Sequence, residues 1–147
     1  MTDDDAIEGL RALAEAAPDT VAGRLAREVY DVWSRPLYYG RDGEPITQNE
    51  WSRAMRQPRH IGNTRIARCW VSTVWLGLDH SWVFGGPPII FETMIFVPRY
   101  KDRGRVSSPQ DWQTRYSTED QARLGHERVV NRLRSRGFAG IMTWEAP

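Results

Sequence analysis

The chain has 147 residues, 40% of them hydrophobic and seven of them tryptophan, which is enough to bury one core and too few for two ordinary domains. Its 20 basic and 19 acidic residues leave a net charge of +1, so no overall field directs it to nucleic acid or to a membrane surface. The single cysteine, Cys69, excludes an internal disulfide and a cysteine-based zinc knuckle; no apolar run nears the roughly 20 residues of a membrane span, and the acidic start MTDDDAIEGL is unlike a signal peptide. A cytosolic location is expected, with Cys69 as a small core residue rather than a nucleophile.

The first helix is expected from Asp4 to Ala16, where Ile7, Leu10, Leu13 and Ala17 keep helical spacing behind three aspartates that suit a helix N-terminus, and Pro18 stops it. Thr20 caps a second helix, in which Val21, Leu25, Val29 and Val32 make an i, i+4, i+8, i+11 stripe ending near Trp33. Residues 1–34 thus form a helical segment, expected to make one domain with an α+β core over 35–147. Two short extended pieces flank the Asp42-Gly43 turn. Thr47 with Glu50 then makes a capping box, with Ile46 and Trp51 as a hydrophobic staple, for a helix from Gln48 to about Gln57.

The centre of the chain reads as a β-hairpin over 66–79 and 89–97, rich in β-branched and aromatic residues and apolar on both faces. Arg99 to Gln113 is polar and aperiodic and reads as a long surface loop. Thr118 and Gln121 open another capped helix, with Ala122, His126, Val129, Val130 and Leu133 on one stripe and Gly137 as its stop. Phe138 to Trp144 reads as a last strand. The expected fold class is α+β: a small, mostly antiparallel sheet packed by about four helices.

Four residues carry the groups that acid–base or metal chemistry needs. Asp79 and His80 stand where a strand leaves the sheet, Glu92 interrupts an apolar strand, and His126 lies on a helix stripe. Their convergence would make a hydrolase or metal-assisted phosphoesterase; in the alternative arrangement His126 is a core hydrogen-bonding group, Glu92 pairs with an arginine, and Asp79 and His80 shape the loop. No spacing motif enforces a metal site or requires a cofactor. Arg115 beside the Ser117–Thr118 helix terminus is a candidate anion site, and Trp82 and Trp112, in expected loops, are candidate surface rings for stacking a ligand. Gly85-Gly86-Pro87-Pro88 precedes a strand, not a helix, and reads as a turn.

The strings VSTVWLGLDH (71–80), GGPPIIFETMIF (85–96) and RYSTEDQARLGHERVV (115–130) resemble a family of small uncharacterised proteins of actinobacterial phages and prophages, over roughly residues 36–135. The resemblance implies a phage setting in the bacterial cytoplasm or a minor virion role, and brings no activity, cofactor or catalytic residue. The leading expectation is an accessory protein that binds a host or defence protein, or a small anion such as a nucleotide. The alternatives are the hydrolase and a virion structural or assembly protein.

Overall fold

A computed structural model describes residues 2–81, 86–98, 106–107 and 112–142. The described residues form an α+β fold with α1 (Asp3–Ala16), α2 (Val21–Trp33), α3 (Gln48–Ala54), β1 (His60–Ile66), β2 (Cys69–Trp75), β3 (Phe91–Pro98), β4 (Val106–Ser107), β5 (Gln113–Tyr116) and α4 (Glu119–Met142). The chain divides into two compact units, Met1–Pro36 with Trp82–Gly86, and Leu37–Ser81 with Pro87–Pro147.

In the first unit α1 and α2 pack as a helical hairpin. Thr2 and Asp5 form a reciprocal capping box at the start of α1, and the Thr20 hydroxyl accepts from Gly23 N–H at 3.0 Å at the start of α2. Gly23 permits the tight join, because a β-carbon there would lie 1.8 Å from the Ala17 carbonyl oxygen. The side of α2 that is buried carries Gly23 and Ala26, while Val21, Leu25, Val29 and Val32 are exposed. An amphipathic pattern ordinarily marks the side of a helix that faces a core; here the small residues take that place.

The second unit is built on an antiparallel five-stranded sheet in which β1, β2, β3 and β4 are neighbours in that order and β5 also pairs with β3. The hairpin expected over 66–79 and 89–97 is present as β2 and β3, with Thr73 opposite Thr93 and Trp75 opposite Phe91. Its first arm is shorter than the sequence suggests. The chain turns back at Ala67 and Arg68, and β1 pairs with β2 from Ile66 opposite Cys69 outward. Ala67 adopts φ 49°, a left-handed conformation that costs a non-glycine residue energy.

Helix α4 crosses one face of the sheet and touches β1, β2, β3 and β5. Ala122, His126, Val129, Val130 and Leu133, the stripe read from the sequence, are all buried. Two readings of the C-terminal half need correction. Gly137, at φ 62° and ψ −171°, breaks the helix where the sequence sets its stop, but residues 138–142 form a second helical stretch across the kink instead of the expected strand, whose residues 143–144 lie outside the described residues. The Arg132 side chain donates to the Gly140 carbonyl at 3.1 Å, and Ile141 is fully buried against the cluster of Val71, Ile95 and Val129, so the apolar residue finds its core contact without entering the sheet. Part of the expected 99–113 loop is also strand, since Gln113 begins β5; residues 99–105 and 108–111 lie outside the described residues.

Around Trp75 a second cluster gathers Tyr39, Ile90, Phe91 and Ala122, with Ile46, Trp51 and Tyr116 packed against it. The α3 capping box places Thr47 Oγ1 to accept from Glu50 N–H while Glu50 accepts from Thr47 N–H, and Trp51 Nε1 donates to the Leu76 carbonyl at 2.9 Å.

Two substitutions at the β1 hairpin should act with opposite signs. Gly62→Ala drives a β-carbon to 2.6 Å from the His126 ring and is expected to cost about 2 kcal/mol, as overpacking does. Ala67→Gly removes the left-handed strain and is expected to stabilise by about 1 kcal/mol. Urea unfolding midpoints of both variants against the parent chain check the pair.

Candidate functional site

Because side chains alternate along a strand, Glu92 and Thr93 of β3 project to opposite faces of the sheet. That parity decides which candidate residues meet. On the α4 face, Thr73 Oγ1 hydrogen-bonds to Thr93 Oγ1 at 2.7 Å and to His126 Nδ1 at 2.8 Å, and His126 Nε2 bonds to Thr64 Oγ1 at 2.8 Å. The result is a line of three hydroxyls and one imidazole threading β1, β2, β3 and α4. All but Thr64 are buried, and each ring nitrogen has a partner, so the imidazole is satisfied in its neutral form. Burial holds His126 below the ordinary histidine range, partly offset by the Glu127 carboxylate.

On the opposite face, Glu92 stands directly across from Arg115 in the β3–β5 pairing. Its Oε2 accepts from Arg115 Nε at 2.8 Å, with the carboxylate nearly buried and the guanidinium partly exposed. A carboxylate in an apolar strand needs such a partner. His80 lies within electrostatic reach of this pair: burial and then Arg115 hold it below the ordinary histidine range, against Glu92 and Asp79, which raise it.

Asp79 serves the backbone. Its Oδ1 accepts from the N–H groups of Ser81 and Ile89, each at 2.9 Å, and its Oδ2 from the Ser81 hydroxyl at 3.1 Å. His80 N–H donates to the Ile89 carbonyl at 3.0 Å. Together these bonds pin the two ends of the connection between β2 and β3, the role of an Asx-type clamp.

The structure therefore brings Asp79, His80, Glu92 and Arg115 into one neighbourhood and does not bring His126 to them. Of the two arrangements the sequence leaves open, strand parity separates His126 from Glu92, which pairs with Arg115. Among the described residues, no group of three His, Cys, Asp or Glu side chains is placed to hold a metal ion.

The candidate ligand-binding residues are similarly engaged. Gln121 Oε1 accepts from Ser117 N–H and Thr118 N–H at 3.1 and 3.3 Å, and Thr118 Oγ1 accepts from Gln121 N–H, so the Ser117 and Thr118 donors are taken by the cap. Trp112, expected as a surface ring, is 7% exposed and packs with Val71, Ile95 and Val129; directly before β5, it shares the parity of Thr114 and Tyr116 and turns toward α4. Trp82 lies outside the described residues. Cys69 packs at the edge of the same core cluster, and burial pushes its thiol up, which keeps it protonated near neutrality.

What sequence reasoning missed is an exposed apolar row. Val21, Leu25, Val29 and Trp33 follow one another at i, i+4 spacing on α2 and are 65%, 54%, 40% and 61% exposed, with Val32 beside them at 41%. Glu28, Val29, Asp31, Val32 and Trp33 line a hollow of about 440 Å³ at its C-terminal half. Gly23 and Ala26 on the other side were the available signal, because two small residues at helical spacing suit close helix contact better than a Val/Leu stripe needs. Against known proteins, the chain matches no family model, no curated protein and no solved structure.

The buried imidazole has a consequence for stability against pH. With its folded value lowered, His126 is protonated first in the unfolded chain, so stability present at neutrality falls as pH drops below about 6.5. His80 acts in the same direction. Unfolding midpoints measured across this range should decline in the parent chain, and His126→Gln should flatten the decline more than His80→Gln does; an unchanged slope in His126→Gln would remove His126 from the account.

Proposed function

We propose that this protein works by binding rather than by bond-making chemistry, as a phage-associated accessory protein that meets another protein through the apolar row of α2. The observation that carries this reading is the exposure of Val21, Leu25, Val29, Val32 and Trp33 together on one helix. Single exposed apolar side chains are ordinary, whereas a contiguous set is a common mark of a protein contact. Tryptophan at the end of the row suits an anchor residue, a type enriched where binding energy concentrates. The phage setting draws support from the resemblance over 71–80, 85–96 and 115–130.

The anionic-ligand alternative has less behind it, since Arg115 is engaged by Glu92 and the α4 cap donors by Gln121. The hydrolase alternative needs Glu92 and His126 on one side of the sheet. Neither draws on the α2 row.

A photo-crosslinking residue at Val29 should give, in cells of a bacterial host, a discrete adduct whose second component mass spectrometry identifies. The same residue at Arg134, exposed on α4, should give none, and Leu25→Glu should cut the Val29 yield at least about fivefold, as loss of a central apolar contact does. Equal yields at the two positions would contradict the proposal.

A further inference from the structure

We infer that the partner of the α2 row is a second copy of the same helix, docked antiparallel across a two-fold axis near the middle of α2. The inference rests on the reading of α2 as the binding surface and names its occupant. A two-fold contact requires a patch that complements itself, each residue type meeting its counterpart from the other end. The two halves of α2 have that relation.

The C-terminal half offers the hollow of about 440 Å³, apolar along Val29, Val32 and Trp33 and bordered by the carboxylates of Glu28 and Asp31. The N-terminal half offers Val21 and Leu25, with Arg24 alongside. Reversing one copy against the other sets Val21 against Trp33 of the partner subunit and Leu25 against Val29 of the partner subunit. In the same register Arg24 lies level with the stretch between Glu28 of the partner subunit and Asp31 of the partner subunit.

Arg24, Glu28 and Asp31 fall at i, i+4 and i+7, on a single flank of the helix. In an antiparallel pair a flank faces its own counterpart, so cation meets carboxylate twice. A parallel pair would set each carboxylate level with its own copy. The charges are available for the contact. Among the described residues the Glu28 and Asp31 carboxylates make no hydrogen bond or ion pair, and the Arg24 side chain donates only through Nη1, to the Asp19 carbonyl at 2.8 Å. The row Val21, Leu25, Val29, Trp33 is also an i±4 ridge, the kind that interdigitates when two helices pack.

A contact limited to one helix per copy lies at the small end of specific interfaces, under about 1,200 Å² in total, so association is weak and concentration-dependent. Sedimentation equilibrium of the full chain over a concentration series reads it directly. The expected result is a monomer–dimer equilibrium that Leu25→Glu weakens at least about tenfold and that Arg24→Glu weakens about threefold. A chain carrying Glu28→Lys and Asp31→Lys should weaken likewise, and mixing it with the Arg24→Glu chain should restore pairing, as a heterodimer. These positions are exposed, and circular dichroism confirms that each variant is folded.

A strictly monomeric parent chain overturns the inference, as does a dimer indifferent to Leu25→Glu or a charge-swapped mixture that fails to pair. The monomer result is distinguishable from failure of the underlying reading: a Val29 crosslink to a different protein would then survive, whereas loss of every Val29-specific crosslink removes both.

Discussion

The two-residue period of β3 is the constraint on which the second unit depends. It sends Phe91, Thr93 and Ile95 toward α4, where all three are fully buried, and Glu92 the other way. A single-residue slip would exchange the two sets, placing a carboxylate in the core and a phenylalanine outside it. Two polar links hold the register. Thr73 bonds to Thr93 across β2 and β3 and also to His126 of α4, and Arg115 meets Glu92 across β3 and β5. The side chains of Glu92 and His126 are therefore engaged in fixing strand register and that of Asp79 in closing the connection between the strands, to which His80 contributes its backbone N–H.

The first unit follows a different logic. The residues that α2 buries are Gly23 and Ala26, small and with little apolar area, while Val21, Leu25, Val29, Val32 and Trp33 stay exposed. Leaving Val21, Leu25 and Trp33 more than half exposed forgoes over half of the roughly 1.5–3 kcal/mol that full burial of a large apolar side chain contributes. A surface that forgoes so much in isolation would regain it on docking, which is the physical support for the proposal that α2 is a binding face. Among the described residues no helix is long and apolar enough to cross a membrane.

Much of this was legible in the sequence, wherever a local rule acts alone. The Thr20, Thr47–Glu50 and Thr118–Gln121 caps, the α4 stripe and the β2–β3 hairpin all follow from spacing and residue type. The turn at Ala67 and Arg68 was not, because it lacks glycine, asparagine or proline and sits inside a run that reads as one strand. Residues 138–142 were missed because four or five apolar-rich residues after a glycine do not separate strand from helix; the Arg132 bond to Gly140 and the seat for Ile141 decide it. Trp112 and His126 needed strand parity, which only pairing supplies. The direction of α2 was the least legible, since the pattern identifies an apolar side without saying what it meets.

The central claim is that the α2 row is free surface on the isolated chain. Relaxation of methyl signals by a soluble paramagnetic agent, in dilute solution of methyl-labelled protein, tests it most directly. The methyl groups of Val21, Leu25, Val29 and Val32 should relax far faster than those of Val71, Ile95 and Val129, which are almost inaccessible. Protection of the α2 methyl groups to the level of those core residues would contradict the account.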